Sequence, residues 1–144
     1  MSKQAAARNK SRRFLVQALY QAQISQTEIS EVICPFIQDH NMKRADIVFF
    51  RSVLEGIGSD FSSLVNLIDQ IGNRSFEDSD PVERSILLIG SFELRSKNDV
   101  PYRVVINECV ELAKYFGASE SFKYINSVLD SLSEILRPAE YAAE

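Results

Sequence analysis

Asp80-Pro81-Val82-Glu83-Arg84-Ser85-Ile86-Leu87-Leu88-Ile89-Gly90-Ser91-Phe92-Glu93-Leu94 is the stretch that decides the fold. Asp80 stands where a helix needs its N-cap, Pro81 at the first helical position and Glu83 at the third. That spacing is a capping box with Asp in the cap role. Such a cap contributes about 1 kcal/mol. Ile86, Leu87, Leu88, Ile89, Phe92 and Leu94 then cover nearly every side of the helix. A helix apolar almost all round is covered on all sides, so this stretch predicts the central helix of a helical assembly.

The same helical period continues outward on both sides. Downstream, Ser96 to Val100 reads as a polar loop. Pro101 opens a helix to Phe116 with Val104, Val105, Cys109, Leu112, Ala113 and Phe116 on its core face, and Gly117 stops it. Ser119 is the expected N-cap of the last helix, whose stripe runs from Phe122 through Ile125, Val128, Leu129, Leu132, Ile135 and Leu136 to Pro138. The tail, residues 139–144, is expected to fray. Upstream, Asn73 to Ser79 is a polar linker with a lone Phe76. Arg44 to Ile71 carries two apolar stripes parted by Gly56 and Gly58, so it splits near Gly58-Ser59. Glu28 to Asp39 is a helix in which Pro35 implies a kink or a late start. Arg8 to Gln23 is the first helix, with Phe14, Leu15, Ala18, Leu19 and Ala22 facing inward. About seven helices result.

Composition agrees. The 144 residues correspond to one domain, 1–144. Glycine and proline together number nine, about 6% of the chain, against roughly 12% on average. Turn-rich β folds use more of both, so the chain is all-α. No stretch approaches the ~18 apolar residues of a membrane span, and no apolar leader opens the sequence. Both point to a cytoplasmic protein. Cys34 and Cys109 form no CxxC and have no nearby His, and read as buried free thiols. The single histidine, His40, falls in a predicted loop. No nucleophile triad, phosphate loop or Glu-x-x-His pair is present, so no catalysis, metal or cofactor is expected. Binding is the expected role.

Charge is unevenly placed. The first thirteen residues hold Lys3, Arg8, Lys10, Arg12 and Arg13 and no acid, and the first acid is Glu28. Against a net charge of −4, the rest of the chain therefore carries −9. A basic arm (1–13) on an acidic body suits contact with nucleic acid through one end; the bland alternative is a solvated tail. Aromatics beside basic groups would add base stacking. Tyr20, Tyr102 beside Arg103, and Phe122-Lys123-Tyr124 are the candidates, and Tyr124 fits the core stripe less well than Phe122. Aromatics at helical spacing are more often core than ligand platforms.

Several blocks together resemble the NusB family. They are Arg12-Arg13 with Gln17-Ala18-Leu19-Tyr20, the Asp80 to Leu87 block with Phe92-Glu93-Leu94, Asp99-Val100-Pro101-Tyr102-Arg103-Val104-Val105-Ile106-Asn107-Glu108, Glu111-Leu112-Ala113-Lys114 to Phe116-Gly117-Ala118, and Lys123-Tyr124-Ile125-Asn126. The resemblance implies two small perpendicular helical bundles and a transcription antitermination factor. Such a factor binds the boxA element of nascent ribosomal RNA leaders with NusE, the tenth small-subunit ribosomal protein, and joins other Nus factors on RNA polymerase. It implies no cofactor. Carried over by position, Lys3, Arg8, Lys10, Arg12 and Arg13 would contact RNA, as would Tyr20, Lys123 and Tyr124. Glu83, Arg84 and Glu120 would face the ribosomal protein. The chain departs from the family at Ala22 and Phe122, and Tyr124 stands where Phe is common.

Two alternatives use the same helices. One is the RNA-recruiting domain of a ribosomal RNA methyltransferase. The short tail beyond Pro138 leaves no room for a catalytic module and favours the stand-alone factor. The other is a protein-binding module or homodimer that hides the basic surface.

Overall fold

The capping box forms as its spacing requires. The Asp80 carboxylate accepts the Glu83 amide at 2.8 Å, and the Glu83 carboxylate accepts the Asp80 amide at 3.2 Å. The computed structural model describes residues 1–71 and 74–143. Among these the chain is all-helical: α1 Lys3–Ser25, α2 Ile29–Asp39, α3 Ile47–Ser59, α4 Phe61–Ile71, α5 Pro81–Ser96, α6 Tyr102–Phe116, α7 Ser121–Leu136 and α8 Pro138–Ala142, with a 3-10 turn at Phe76–Asp78. Asn73 of the expected linker and Glu144 of the expected tail lie outside the described residues. No helix among the described residues is long and apolar enough to cross a membrane.

α5 is the centre. Every residue from Ser85 to Leu94 is buried. α1, α3, α4, α6 and α7 all pack against it, α2 packs on α1 and α3, and α6 and α7 pack on each other. α1 runs antiparallel to α5: Arg12 meets Glu93, and Gln23 donates to the Pro81 carbonyl and to Ser85. The α6–α7 pair can come close because position 90 is glycine. A Cβ there would lie 2.7 Å from Leu129 and 3.2 Å from the Cys109 sulfur.

Several expectations need correction. Val104 and Ile135, expected on core faces, are exposed, and the candidate ring of Tyr102 is buried. Residues 1–13 are not a separate arm, because α1 begins at Lys3, its first turn capped by the Ser2 hydroxyl accepting from the Ala5 amide. The last long helix starts at Ser121 with Glu120 as its cap residue, not Ser119. The helix through Pro35 does not start late: it runs from Ile29 to Asp39 with Pro35 inside it, in the second turn. Cys34 is exposed on α2, and only Cys109 is buried; burial pushes the Cys109 thiol pKa far up, so it stays protonated. The chain after Pro138 forms α8 instead of fraying.

A buried arginine explains α8. The Arg137 guanidinium donates to the carbonyls of Leu94 at 2.6 Å, Val100 and Lys97 at 3.0 Å, and Glu93 at 3.2 Å. It thus gives a donor to the Leu94 carbonyl in the last turn of α5 and to the Val100 carbonyl in the loop, and a second donor to the Glu93 and Lys97 carbonyls, which also accept the Lys97 and Val100 amides. Glu140 accepts from Arg137 at 2.8 Å and from the Tyr102 amide at 2.7 Å, which caps the start of α6. One carboxylate and one guanidinium tie three helix ends together.

Candidate nucleic-acid interface

The basic residues of α1 point in different directions, because successive residues on a helix are turned by about 100°. Arg12 is buried, with 3% of its side chain exposed against 0% for Glu93. Its guanidinium donates two near-parallel hydrogen bonds to the Glu93 carboxylate, at 2.8 and 2.7 Å, and a third to Asn9 at 2.6 Å. Burial disfavours the charge, but the hydrogen bonds and charge of Glu93 outweigh it and hold the Arg12 pKa above its ordinary value. Arg12 therefore presents nothing to a phosphate, contrary to the sequence expectation.

Arg8 is half-buried between two acids. It donates to Asp99 at 3.0 Å and lies 3.8 Å from Asp46, over the Phe49 ring. The hydrogen bond from Arg8 holds the Asp99 pKa below the usual carboxylate value. Lys10 is half-buried and donates to the Lys43 carbonyl at 2.8 Å. Lys3 and Arg13 are exposed. Arg13, Gln17 and Tyr20 follow at i, i+4 and i+7 on one exposed stripe of α1, with Tyr20 43% exposed.

The second group gathers where the start of α5 meets the start of α7. Glu83 is buried. Besides the cap it accepts the Ser121 hydroxyl at 2.9 Å and an Arg74 N–H at 3.3 Å. It ties helices together and is not available to a partner, which corrects its expected role. Arg84 is half-buried, 3.9 Å from Glu77, and Glu120 is exposed and paired with Lys123 at 2.9 Å. Both remain accessible on the same corner. Tyr124 is half-buried; the Arg74 guanidinium lies 3.7 Å over its ring, and Ser79 lies 3.5 Å from its hydroxyl. One face of that ring is already occupied. Arg74 sits in the polar linker, where no periodicity pointed to it. Its position shows only in the folded contacts.

The remaining chemistry is sparse. No group of three or more His, Cys, Asp or Glu side chains among the described residues could hold a metal. His40 stacks on Phe36 at 3.7 Å with its Nδ1 2.9 Å from the Phe36 carbonyl, a structural contact.

Comparison with known proteins gives a consistent result. The NusB family model matches residues 9–134. The transcription antitermination protein NusB of Hahella chejuensis is 46% identical over 143 residues, covering 99% of this chain and 96% of that protein. The protein of the same name from Marinomonas is 45% identical over 138 residues, 94% of this chain and 79% of that one. Among solved structures, NusB of T. maritima superposes with a TM-score of 0.83 at 24% identity, covering 95% of this chain and 97% of that chain. A chain from a complex of NusB and NusE with double-stranded RNA superposes with a TM-score of 0.79 at 18% identity, covering 90% and 97%. At these identities the structures speak for the fold.

Proposed function

This chain belongs to the NusB family, and on that premise we propose that it is a transcription antitermination factor. It binds the boxA element of nascent ribosomal RNA leaders together with NusE, and the pair acts with other Nus factors on RNA polymerase in the cytoplasm. No catalytic step is assigned to it. The observation that carries the reading is near-full-length similarity, at 46% identity, to a protein of that name.

The surface supports a division of labour. Lys3, Lys10 and Arg13 supply phosphate contacts, with Arg8 adding to the local positive field between its two acids. Tyr20 on the exposed α1 stripe stacks on an unpaired base. Lys123 and the open side of Tyr124 give a second contact on α7. Arg84 and Glu120 belong to the face that meets the ribosomal protein. The protein pair presents one composite RNA surface, which is how a chain of net charge −4 reaches specificity.

The test is fluorescence anisotropy with a boxA RNA and its scramble, each with and without NusE, at near-physiological salt. Tighter binding of boxA when NusE is present is the expected result. Equal binding of both RNAs in every combination overturns the reading and favours a module whose partners are proteins or a second copy of itself; size-exclusion mass distinguishes those two.

A further inference from the structure

The most exposed aromatic ring among the described residues lies outside every role assigned above. Tyr115, in the last turn of α6, is 71% exposed. It is off the α6 core stripe, whose members Cys109, Leu112 and Ala113 are buried. A tyrosine presented to water in this way leaves a large apolar surface uncovered. Its ring meets Phe116 edge-on, with centroids 4.8 Å apart and planes at 73°. Phe116 thus braces an edge of the ring.

What surrounds the ring is informative. Tyr115 and Phe116 form one wall of a groove of about 300 Å³, and Lys10, Arg13, Phe14 and Gln17 of α1 form the other. Two cations, one amide and the exposed Tyr115 ring, beside the rings of Phe14 and Phe116, therefore converge on one concave site. Arg13 and Gln17 also belong to the exposed stripe that continues to Tyr20. The groove is open, with two cations, an amide and the Phe14 ring on one wall and the Tyr115 and Phe116 rings on the other. A nucleotide offers the complement: a flat base for the ring, a charged phosphate for Lys10 and Arg13, and base edges for the Gln17 amide.

We propose that Tyr115 is a second base-stacking platform for single-stranded RNA, with Lys10 and Arg13 holding the phosphates beside it and Gln17 reaching the base edge. This rests on the RNA-binding reading above and extends its footprint from α1 across to the end of α6. The two tyrosines, Tyr20 and Tyr115, then flank the same cationic stripe, so one strand can be held along α1 with an unstacked base at each end.

The experiment compares wild type, Tyr115→Ala, Tyr115→Phe and Arg13→Ala, each with NusE, on a single-stranded RNA carrying boxA and flanking nucleotides. Anisotropy is read over a salt series. Tyr115→Ala loses roughly tenfold in affinity with an unchanged salt slope, because a stacking contact is lost and no phosphate contact is. Tyr115→Phe keeps its affinity within about twofold, because the ring face is retained. The protein has no tryptophan, so intrinsic tyrosine emission is readable; wild type is quenched by the RNA more than Tyr115→Ala is. If Tyr115→Ala binds RNA as wild type does while Arg13→Ala is weakened, the platform is overturned and the RNA-binding reading stands. Loss of NusE binding alone in Tyr115→Ala also overturns it and makes the ring a protein contact. No boxA preference by wild type overturns the reading and this proposal with it.

Discussion

Arg12 and Glu93, 81 residues apart in sequence, form a bidentate ion pair at 2.7 and 2.8 Å that is shut inside the interface of α1 and α5. Its neighbour Arg13 projects to the outside of the same helix. Two adjacent arginines therefore have opposite duties, one holding the fold and one available to a ligand.

The first prediction separates them by stability. Removing one member of a buried pair leaves an uncompensated charge in a low-dielectric site, which costs about 3–5 kcal/mol. Arg12→Ala and Glu93→Gln should each lower the urea midpoint strongly. Replacing both by apolar residues of similar volume should recover much of the loss. Arg13→Ala should leave the midpoint within about 0.5 kcal/mol of wild type. Equal destabilisation by Arg12→Ala and Arg13→Ala would contradict the burial of the pair.

The second concerns RNA. Arg13→Ala should weaken boxA and scrambled RNA alike and reduce the salt slope by about 1. Tyr20→Ala should weaken boxA more than the scramble, by about 1–3 kcal/mol, with little change in slope. Parallel salt titrations of the two variants read both quantities at once. A slope change in Tyr20→Ala would remove it from the stacking role.

The third concerns the end of the chain. Arg137→Ala strips hydrogen bonds from four carbonyls; those of Glu93 and Lys97 keep a backbone amide donor, while those of Leu94 and Val100 lose their guanidinium partner. Unsatisfied buried groups cost about 1–3 kcal/mol apiece, partly relieved by water entering the gap. A total loss of about 2–4 kcal/mol follows by the same scale, together with faster amide exchange at the start of α6. Deleting the residues after Pro138 should reproduce part of that exchange change, because Glu140 caps the Tyr102 amide.

The fourth is a pH dependence with two opposite signs. The Tyr102 amide, and next Arg137, hold the Glu140 carboxyl below its ordinary value of 4.5. A depressed carboxylate contributes stability above its unfolded pKa and loses it as pH falls through the folded one. The α8 contacts should therefore weaken on acidification from about pH 5 downward. Glu108 is the reverse: burial raises it above 4.5, so its ionised form is disfavoured in the fold. Its destabilising contribution is present above the folded pKa and absent below the unfolded one. Glu108→Gln should raise Tm at pH 7 and leave it unchanged near pH 3. A Tm gain that persists at pH 3 would assign the effect to packing.

Helix positions were written locally. The 3.6-residue apolar period marked seven of the eight helices among the described residues, and the α5 capping box lies wholly within Asp80 to Glu83, so neighbouring residues alone suffice to specify it. The split of α3 from α4 at Ser59 and Asp60 followed from the glycines in the same way. The α8 segment is five residues long and is held by Arg137 and Glu140 contacts from 37 to 44 residues away, so no local period could announce it. The site divides along the same line. That α1 is basic and carries a tyrosine was plain from the residues. Which cation is exposed was not, because Arg12 and Arg13 are chemically identical and differ only by 100° about the helix axis. Glu93 on α5 took one of them; the groove against α6 left the other open. Helix and cap were legible in the chain because they are interactions of residues three or four apart, and charge because it is carried by the residues themselves. The tertiary structure alone decided which charges were neutralised inside and which rings were left to solvent, because a buried ion pair needs a partner that only folding brings within 3 Å.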